Sequence, residues 1–308
     1  MAGNNIFIST TTFAEYDSTP LEMLKRAGVE VHLNPHRRIL IAEELVKLAA
    51  EVEGLIAGTE SLDKDTLKKL KHLRVISRCG AGLDNVDLQA AEELGIKIYS
   101  TPDAPTKAVA ELTLGLMLNC LRRISRADRS IRKGKWDKPM GELLNGRTVG
   151  IIGYGRIGKV VSKLVQALGA KVLAYDIAPI SETAGAQLVS FNELFANSDI
   201  ITLHISADKA KGYLINSDAI GKMKRGAYLI NTSRGELVDE NALYNALKSG
   251  KLAGAGVDVF EKEPYTGKLV ELDNAVLTSH IGSYAKEARI EMEKQAVENL
   301  LKGLEVKL

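Results

Sequence analysis

Cysteine is scarce in this chain. Only Cys79 and Cys120 occur in its 308 residues, and their spacing is not that of a metal site. They point to reduced thiols of a cytoplasmic protein rather than to a disulfide staple, and no metal is expected. Excess charge of either sign is also missing. Forty-one Lys and Arg against 39 Asp and Glu leave a formal net charge of +2. That is too near neutral to indicate a nucleic-acid or membrane partner. No hydrophobic run is long enough to span a bilayer: the most apolar, 109–121, is short and carries Glu111 and Asn119. The N-terminus MAGNNIFIST lacks a basic region followed by a long apolar core, so no signal peptide is expected. Low-complexity segments and a convincing internal repeat are absent. What remains is a composition of 45% hydrophobic and 26% charged residues, typical of a soluble globular protein, in a length sufficient for two domains.

The most informative stretch is 148–176, TVGIIGYGRIGKVVSKLVQALGAKVLAYD. An apolar run, 149–152, reads as a buried strand. Gly153, Gly155 and Gly158 follow as G-x-G-x-x-G, then a helical pattern from near Arg156 to near Gly169. A second apolar run, 171–175, closes on Asp176, 18 residues past the third glycine. Glycines at this spacing permit a tight turn and close approach of a pyrophosphate, and the following helix start offers free N–H groups and a positive dipole end. A carboxylate at the tip of the second strand suits the ribose hydroxyls of NAD and would repel the 2′-phosphate of NADP. A bare G-x-G-x-x-G is weak evidence; strand, helix, second strand and acid together indicate dinucleotide binding.

The first hundred residues alternate strands at 5–9, 30–33, 54–57, 75–78 and 97–99 with helices at 20–27, 42–50, 63–70 and 87–94. Such alternation predicts a parallel sheet covered on both faces. Asp63 suits an N-cap, as does Asp84 or Asp87. The glycine-rich loop from Cys79 to Asp87 follows the fourth strand. It reads either as an anion-binding loop or as a plain turn into the next helix. A proline-dense stretch, 101–105, is a crossover candidate. The helix expected at 107–122 is apolar on most sides and must be buried, in a core or at a subunit interface. A basic surface helix is expected at 124–133, then a loop at 134–145 with the only tryptophan, Trp136. Beyond Asp176 the alternation resumes, with strands at 200–203, 227–231, 254–259 and 276–278 and helices at 190–196, 217–223 and 240–249. A long helix over 285–304 ends the pattern, with Val297, Leu300, Leu301 and Leu304 at core spacing.

Three polar groups occur where strands of this second half end: Arg234 after 227–230, Glu263 beyond 254–257, and His280 after 276–277. Hydride transfer suits them. A 2-hydroxy acid needs a base for its hydroxyl proton, a cation for its carboxylate and a nicotinamide. His280 fits the base, Glu263 could fix the imidazole tautomer, and Arg234 could hold the carboxylate as a fork. Singly, each is more often a plain residue: a polar His at a sheet edge, an Arg as a surface charge, a Glu-Pro turn.

The segments GAGLDNVD (80–87), PTKAVAELTLGLML (105–118), LNGRTVGIIGYGRIG (144–158), INTSRGELVDENAL (230–243), GAGVDVFEKEP (254–264) and TSHIG (278–282) together resemble the NAD-dependent D-2-hydroxyacid dehydrogenases. The resemblance runs in matching order over nearly the whole chain. Within the family it is nearest to the D-3-phosphoglycerate dehydrogenases, in a short form without a regulatory domain. The resemblance implies an α/β fold of two doubly wound parallel-sheet, Rossmann-like domains with a cleft between them. The substrate-binding domain would be discontinuous, 1–101 and 284–308, around an NAD-binding domain at 102–283. It implies that Arg234 binds the substrate carboxylate, that His280 is the acid/base and that Glu263 pairs with it. Backbone N–H groups of Gly80, Ala81 and Gly82 would meet the carboxylate. Gly153, Gly155, Arg156, Ile157, Gly158 and Asp176 would hold NAD, with further contacts near Thr232, Ser233, Asp258, His280 and Gly282. Helix 107–122 is similar to the family's dimer-forming helix, so a homodimer is expected. A small 2-hydroxy or 2-oxo acid is the expected substrate, 3-phosphoglycerate first.

Two departures stand out. Phosphoglycerate dehydrogenases tend to carry an arginine after the strand at 54–57, near the substrate phosphate; here Gly58-Thr59-Glu60 stands instead. Arg78 is retained before the glycine loop and could meet phosphate or carboxylate. The family's L-H-x-P-L-T is Leu203-His204-Ile-Ser-Ala-Asp208 here, which puts its cofactor contacts in question. The alternatives are a glyoxylate or hydroxypyruvate reductase and, from another class, a nucleotide-sensing, corepressor-like protein.

Overall fold

Parallel pairing joins every named strand to its neighbours in the computed structural model, which describes residues 4–180, 182–207 and 212–307. Asp208, at the end of the second departure, lies outside the described residues. The strands sort into two sheets, and the chain divides into two compact units, Met1–Pro105 with Ser283–Leu308, and Thr106–Gly282. Among the described residues no helix is long and apolar enough to cross a membrane.

In the first unit β1 (Asn5–Ile8), β2 (Glu30–Leu33), β3 (Gly54–Ala57), β4 (Val75–Arg78) and β5 (Lys97–Ser100) form a sheet of order β2-β1-β3-β4-β5. Helices α2 (Ala42–Leu48), α3 (Lys64–Lys69) and α4 (Leu88–Glu93) cover one face through Leu45, Leu67 and Ala91. Helix α1 (Thr19–Arg26) and a later helix, α11 (Lys286–Leu304), cover the other. Local capping sets where helices start. Asp63 accepts from the Thr66 amide and starts α3, and of the two candidate caps in the glycine-rich loop it is Asp87 that starts α4, accepting from Ala90. The core spacing of α11 is used as the pattern requires: Val297, Leu300, Leu301 and Leu304 are buried against Ile6, Ile8 and Val75.

The first unit keeps residues 102–105, four more than the boundary expected from the motifs, and Ser283 as well. The reason is local. Gly80 and Thr101 bond to each other twice, Gly80 N to Thr101 Oγ1 at 2.8 Å and Thr101 N to Gly80 O at 2.9 Å, and Ala104 packs into the α1/α11 core.

The second unit holds β6 (Thr148–Ile152), β7 (Lys171–Tyr175), β8 (Gln187–Leu188), β9 (Ile200–Leu203), β10 (Ala227–Asn231), β11 (Leu252–Val257) and β12 (Ala275–Leu277). Their order is β12-β11-β10-β9-β6-β7-β8, a doubly wound sheet whose direction of growth reverses between β6 and β9. The two-residue edge strand β8 is too short to leave a periodic trace in sequence. Helices α5 (Thr106–Arg122) and α7 (Arg156–Ala167) pack on one face; α8 (Phe191–Asn197), α9 (Ser217–Lys222) and α10 (Glu240–Lys248) pack on the other. The apolar character of α5 is accounted for mainly by this core, where Ala110, Leu116, Met117, Cys120 and Leu121 are buried. Helix α6 (Ile124–Arg132) follows it.

Candidate active site

The glycine turn after β6 is built by exclusion of side chains. Gly153 has φ +92, and a Cβ there would stand 2.3 Å from His204 O; one at Gly158 would stand 2.1 Å from Gly153 O. Both glycines let backbone cross backbone. Gly155 differs: nothing lies within 4 Å of its Cβ position, and it is the N-cap of α7 without a side-chain cap bond. Open space therefore stands over a helix start that no N-cap side chain closes, which fits the pyrophosphate of a dinucleotide. Arg156 and the half-buried Ile157 open the helix. Asp176, beyond β7, accepts from Tyr154 N at 2.7 Å and from Ala178 N at 3.0 Å, so its carboxylate stands beside the turn. No sequence signal singles out Tyr154, yet its buried ring ties the turn downward, donating to Thr183 O and lying 2.9 Å from Ser162 Oγ.

The loops after β10, β11 and β12 lie at the same strand ends. His280 has φ +54, and its Nδ1 is 2.9 Å from Glu263 Oε2 and 3.1 Å from Oε1. Glu263 is itself oriented, since Oε1 accepts from Phe260 N at 3.1 Å. Asp258 is fully buried (0% exposed) and both its oxygens face the next loop. It accepts from Thr278 Oγ1 at 2.6 Å, Ile281 N at 2.8 Å and Gly282 N at 2.8 Å, while its carbonyl takes His280 N at 2.8 Å. A direct cofactor contact was expected of this residue. Within the protein its carboxylate holds the loop that carries His280. Arg234 is half-buried, its Nη1 donating to Ser233 O at 2.7 Å, and Asn231 Nδ2 holds its carbonyl at 2.8 Å. A Cβ at Gly235 would fall 1.9 Å from the carbonyl carbon of Phe260, so that glycine lets the Arg234 loop lie directly on the Glu263 loop. Ser233 donates to Leu203 O, and Thr232 Oγ1 lies 2.9 Å from Thr113 Oγ1. These two hydroxyls fasten the turn to β9 and α5, while Gly282 closes the set beside Asp258.

In the first unit the candidate residues surround the end of β4. A Cβ on Gly80 would fall 1.2 Å from Arg78 Nη1, so the guanidinium folds over the glycine. Gly80 requires correction as a donor to substrate: its single N–H is already given to Thr101 Oγ1. Among the described residues no hydrogen bond engages the amides of Ala81 and Gly82, which remain as donors.

A doubly wound sheet, a glycine turn open over a helix start, and an acid-oriented histidine at the same strand ends define a dinucleotide-dependent oxidoreductase. Comparison with known proteins makes this specific. Residues 114–282 match the family model described as D-isomer specific 2-hydroxyacid dehydrogenase, NAD binding domain, and the chain belongs to that family. It is 43% identical over 269 residues to a hydroxypyruvate reductase of Thermotoga maritima, covering 85% of this chain and 88% of that protein. It is 38% identical over 298 residues to a D-3-phosphoglycerate dehydrogenase of Archaeoglobus fulgidus, covering 93% of this chain but only 56% of that longer protein. A crystal structure of a glyoxylate reductase from Paecilomyes thermophila superposes with a TM-score of 0.89 at 32% identity, over 99% of this chain and 96% of that one. The protein is an NAD-dependent 2-hydroxyacid dehydrogenase of this family; the relatives' names divide over the substrate.

Two outcomes follow from this geometry. Because Gly155 meets no protein atom, Gly155→Ala should melt at the wild-type temperature yet bind NAD at least roughly tenfold more weakly, the new methyl standing in the pyrophosphate's approach. Calorimetric titration with NAD measures this, and an unchanged Kd would remove Gly155 from the cradle. The second concerns His204, whose Nε2 lies 3.0 Å from Thr202 Oγ1 and whose burial pushes its pKa down to about 3. Its folded value lies below the unfolded value of about 6.5, so the unfolded chain binds the extra proton. Stability is lost as pH falls from about 6.5 toward 3, by at most about 1.4 kcal/mol per pH unit for this group. Urea midpoints at neutral and at mildly acidic pH should fall less for His204→Gln than for wild type, and an equal fall would show that His204 does not carry the effect.

Proposed function

We propose that the chain moves hydride between NAD and the C2 of a D-2-hydroxy or 2-oxo acid, with His280 as acid/base. The observation that carries this reading is the 2.9 Å contact of His280 Nδ1 with Glu263 Oε2. A carboxylate on Nδ1 keeps the proton of the neutral ring there, so Nε2 is the nitrogen presented to substrate. In the oxidative direction Nε2 takes the hydroxyl proton as C2 gives up hydride; in the reductive direction it returns a proton to the C2 oxygen. NAD, when bound, supplies the hydride carrier. In the second unit Arg234 offers a cation suited to a carboxylate. In the first unit the amides of Ala81 and Gly82 are donors suited to the same kind of group. Buried Asp258 sets the backbone angle from which His280 projects.

Residues 177–207 contain no lysine or arginine, so this stretch offers no cation to a 2′-phosphate, and Asp176 would repel one. This supports NAD over NADP. The relatives named above support either an unphosphorylated acid or a 3-phosphorylated one as substrate. Both cysteines are buried and unpaired, which supports a cytoplasmic setting. A homodimer is also part of the reading, and its face extends past α5. Most of that helix is core, whereas Ile124, Trp136 (79% exposed), Met140 (85% exposed) and Leu143 on the segment after it are open. An apolar strip of this kind suits a second copy of the chain.

His280→Ala should lower kcat by about 10²–10⁴-fold with 2-oxo acid and NADH while leaving NADH affinity near wild type. Near-normal turnover in that variant would sink the assigned role. Sedimentation velocity should find a dimer for wild type and a folded monomer for Trp136→Glu; a monomeric wild type would refute the dimer.

A further inference from the structure

The sheet of the first unit has its own reversal of strand order, between β1 and β3. Outside the carboxyl ends of the strands at such a reversal lies the crevice where open parallel sheets take their ligands. In this chain one of its own side chains occupies the place. Ser9 and Gly58 follow β1 and β3 directly, and Glu60, only 3% exposed, folds its carboxylate back onto both. Glu60 Oε1 accepts from Ser9 Oγ and, at 3.1 Å, from Gly58 N, and Oε2 lies 3.2 Å from the same amide. Asn85 Nδ2 fastens the loop by donating to Glu60 O at 2.6 Å and to Gly58 O at 3.3 Å. A backbone amide and a hydroxyl converging at strand ends are the donors that a bound anion would use.

The neighbouring strand places this seat beside the glycine loop. Ala57 and Arg78 are in register on β3 and β4, and Cys79 N bonds Ala57 O at 2.9 Å. Gly58–Glu60 and Cys79–Gly82 therefore leave the sheet one strand apart, a spacing of roughly 4.8 Å. A 2-oxo acid held by its carboxylate at Ala81 and Gly82 would have its C3 substituent within reach of Glu60.

We propose that Glu60 determines substrate specificity: it fills the anion seat at the β1/β3 edge with the protein's own carboxylate and restricts the enzyme to short 2-oxo and 2-hydroxy acids without a phosphate at C3. The proposal rests on the reading of the Ala81–Gly82 amides as the carboxylate seat. A dianionic phosphate brought there meets a fixed like charge and finds the donors already taken, whereas hydrogen or a hydroxymethyl group meets only a hydrogen-bond acceptor.

The test uses the full chain as wild type, Glu60→Gln and Glu60→Ala, with NADH and either hydroxypyruvate or 3-phosphohydroxypyruvate. Wild type should favour the unphosphorylated acid by about 10²-fold in kcat/KM, the size expected of a like-charge clash. Glu60→Gln, which keeps the shape and one acceptor, should shrink that ratio at least roughly tenfold, chiefly through KM for the phosphorylated acid. A wild type that prefers the phosphorylated acid, or a ratio unmoved in both variants, overturns the proposal. A second readout needs no turnover. Inorganic phosphate should raise the melting temperature of Glu60→Ala, by filling the vacated seat, and leave wild type unmoved. A folded Glu60→Ala that is indifferent to phosphate overturns the proposal even if the enzyme is active. Loss of all 2-oxo acid turnover by wild type would instead refute the dehydrogenase reading of the site, and the phosphate titration would still decide on Glu60. A merely structural Glu60 would change the melting temperature without changing either the ratio or the response to phosphate.

Discussion

A carboxylate removed from water must be matched donor for donor, and in the second unit that demand is met by Asp258. Its oxygens collect the Thr278 hydroxyl and the amides of Ile281 and Gly282, and its own carbonyl collects His280 N. Every one of these bonds pulls on the segment that presents His280. The histidine sits at positive φ, a backbone region disfavoured for residues with a side chain, so the surrounding bonds must over-determine it. The pairing of Nδ1 with Glu263 follows from this placement. The geometry on which the proposed proton transfer depends is thus set one layer below the reacting groups.

The same logic recurs at the end of β4 and of β10. Gly80 has no side chain, so Arg78 can fold over it; Gly235 has none, so the Arg234 loop can lie on the backbone of Phe260. In both places an arginine is aimed by a neighbouring glycine. At the ends of β1 and β3 the chain does something different and closes a donor cluster with its own Glu60. Cationic, amide and carboxylate features thus stand at successive strand ends of parallel sheets, where no strand amide or carbonyl continues the ladder and side chains complete the bonding.

Much of the fold was legible before any coordinates. Short apolar runs mark every strand but β8, and Asp63 is the N-cap its position suggested, while Asp87, Ser190 and Asp239 are seen as caps only in the structure, the first of them chosen over Asp84. The strand β8 escaped because two exposed residues carry no periodicity. The nucleotide turn was legible because glycine spacing is a local steric requirement. The pairing of His280 with Glu263 was an expectation from motif order, and the structure brings the two within hydrogen-bond distance. What stayed hidden were residues whose partners are distant in sequence. Thr101 takes the Gly80 amide across 21 positions, Asp258 reaches the His280 loop across 20 to 24, and Ser9 meets Glu60 across 51.

Sequence alone determined the alternation of elements, the glycine turn with its acid, and the residue types gathered at strand ends, because each depends on spacing within one or two elements. Tertiary structure decided which polar groups are already engaged within the protein. Gly80 gives its amide to Thr101, Asp258 turns inward, half-buried His204 lies against Thr202, and Glu60 occupies the anion seat of the first sheet. A hydrogen-bond donor serves a substrate only if no internal acceptor has claimed it. That depends on residues brought together by strand order, which no local spacing encodes.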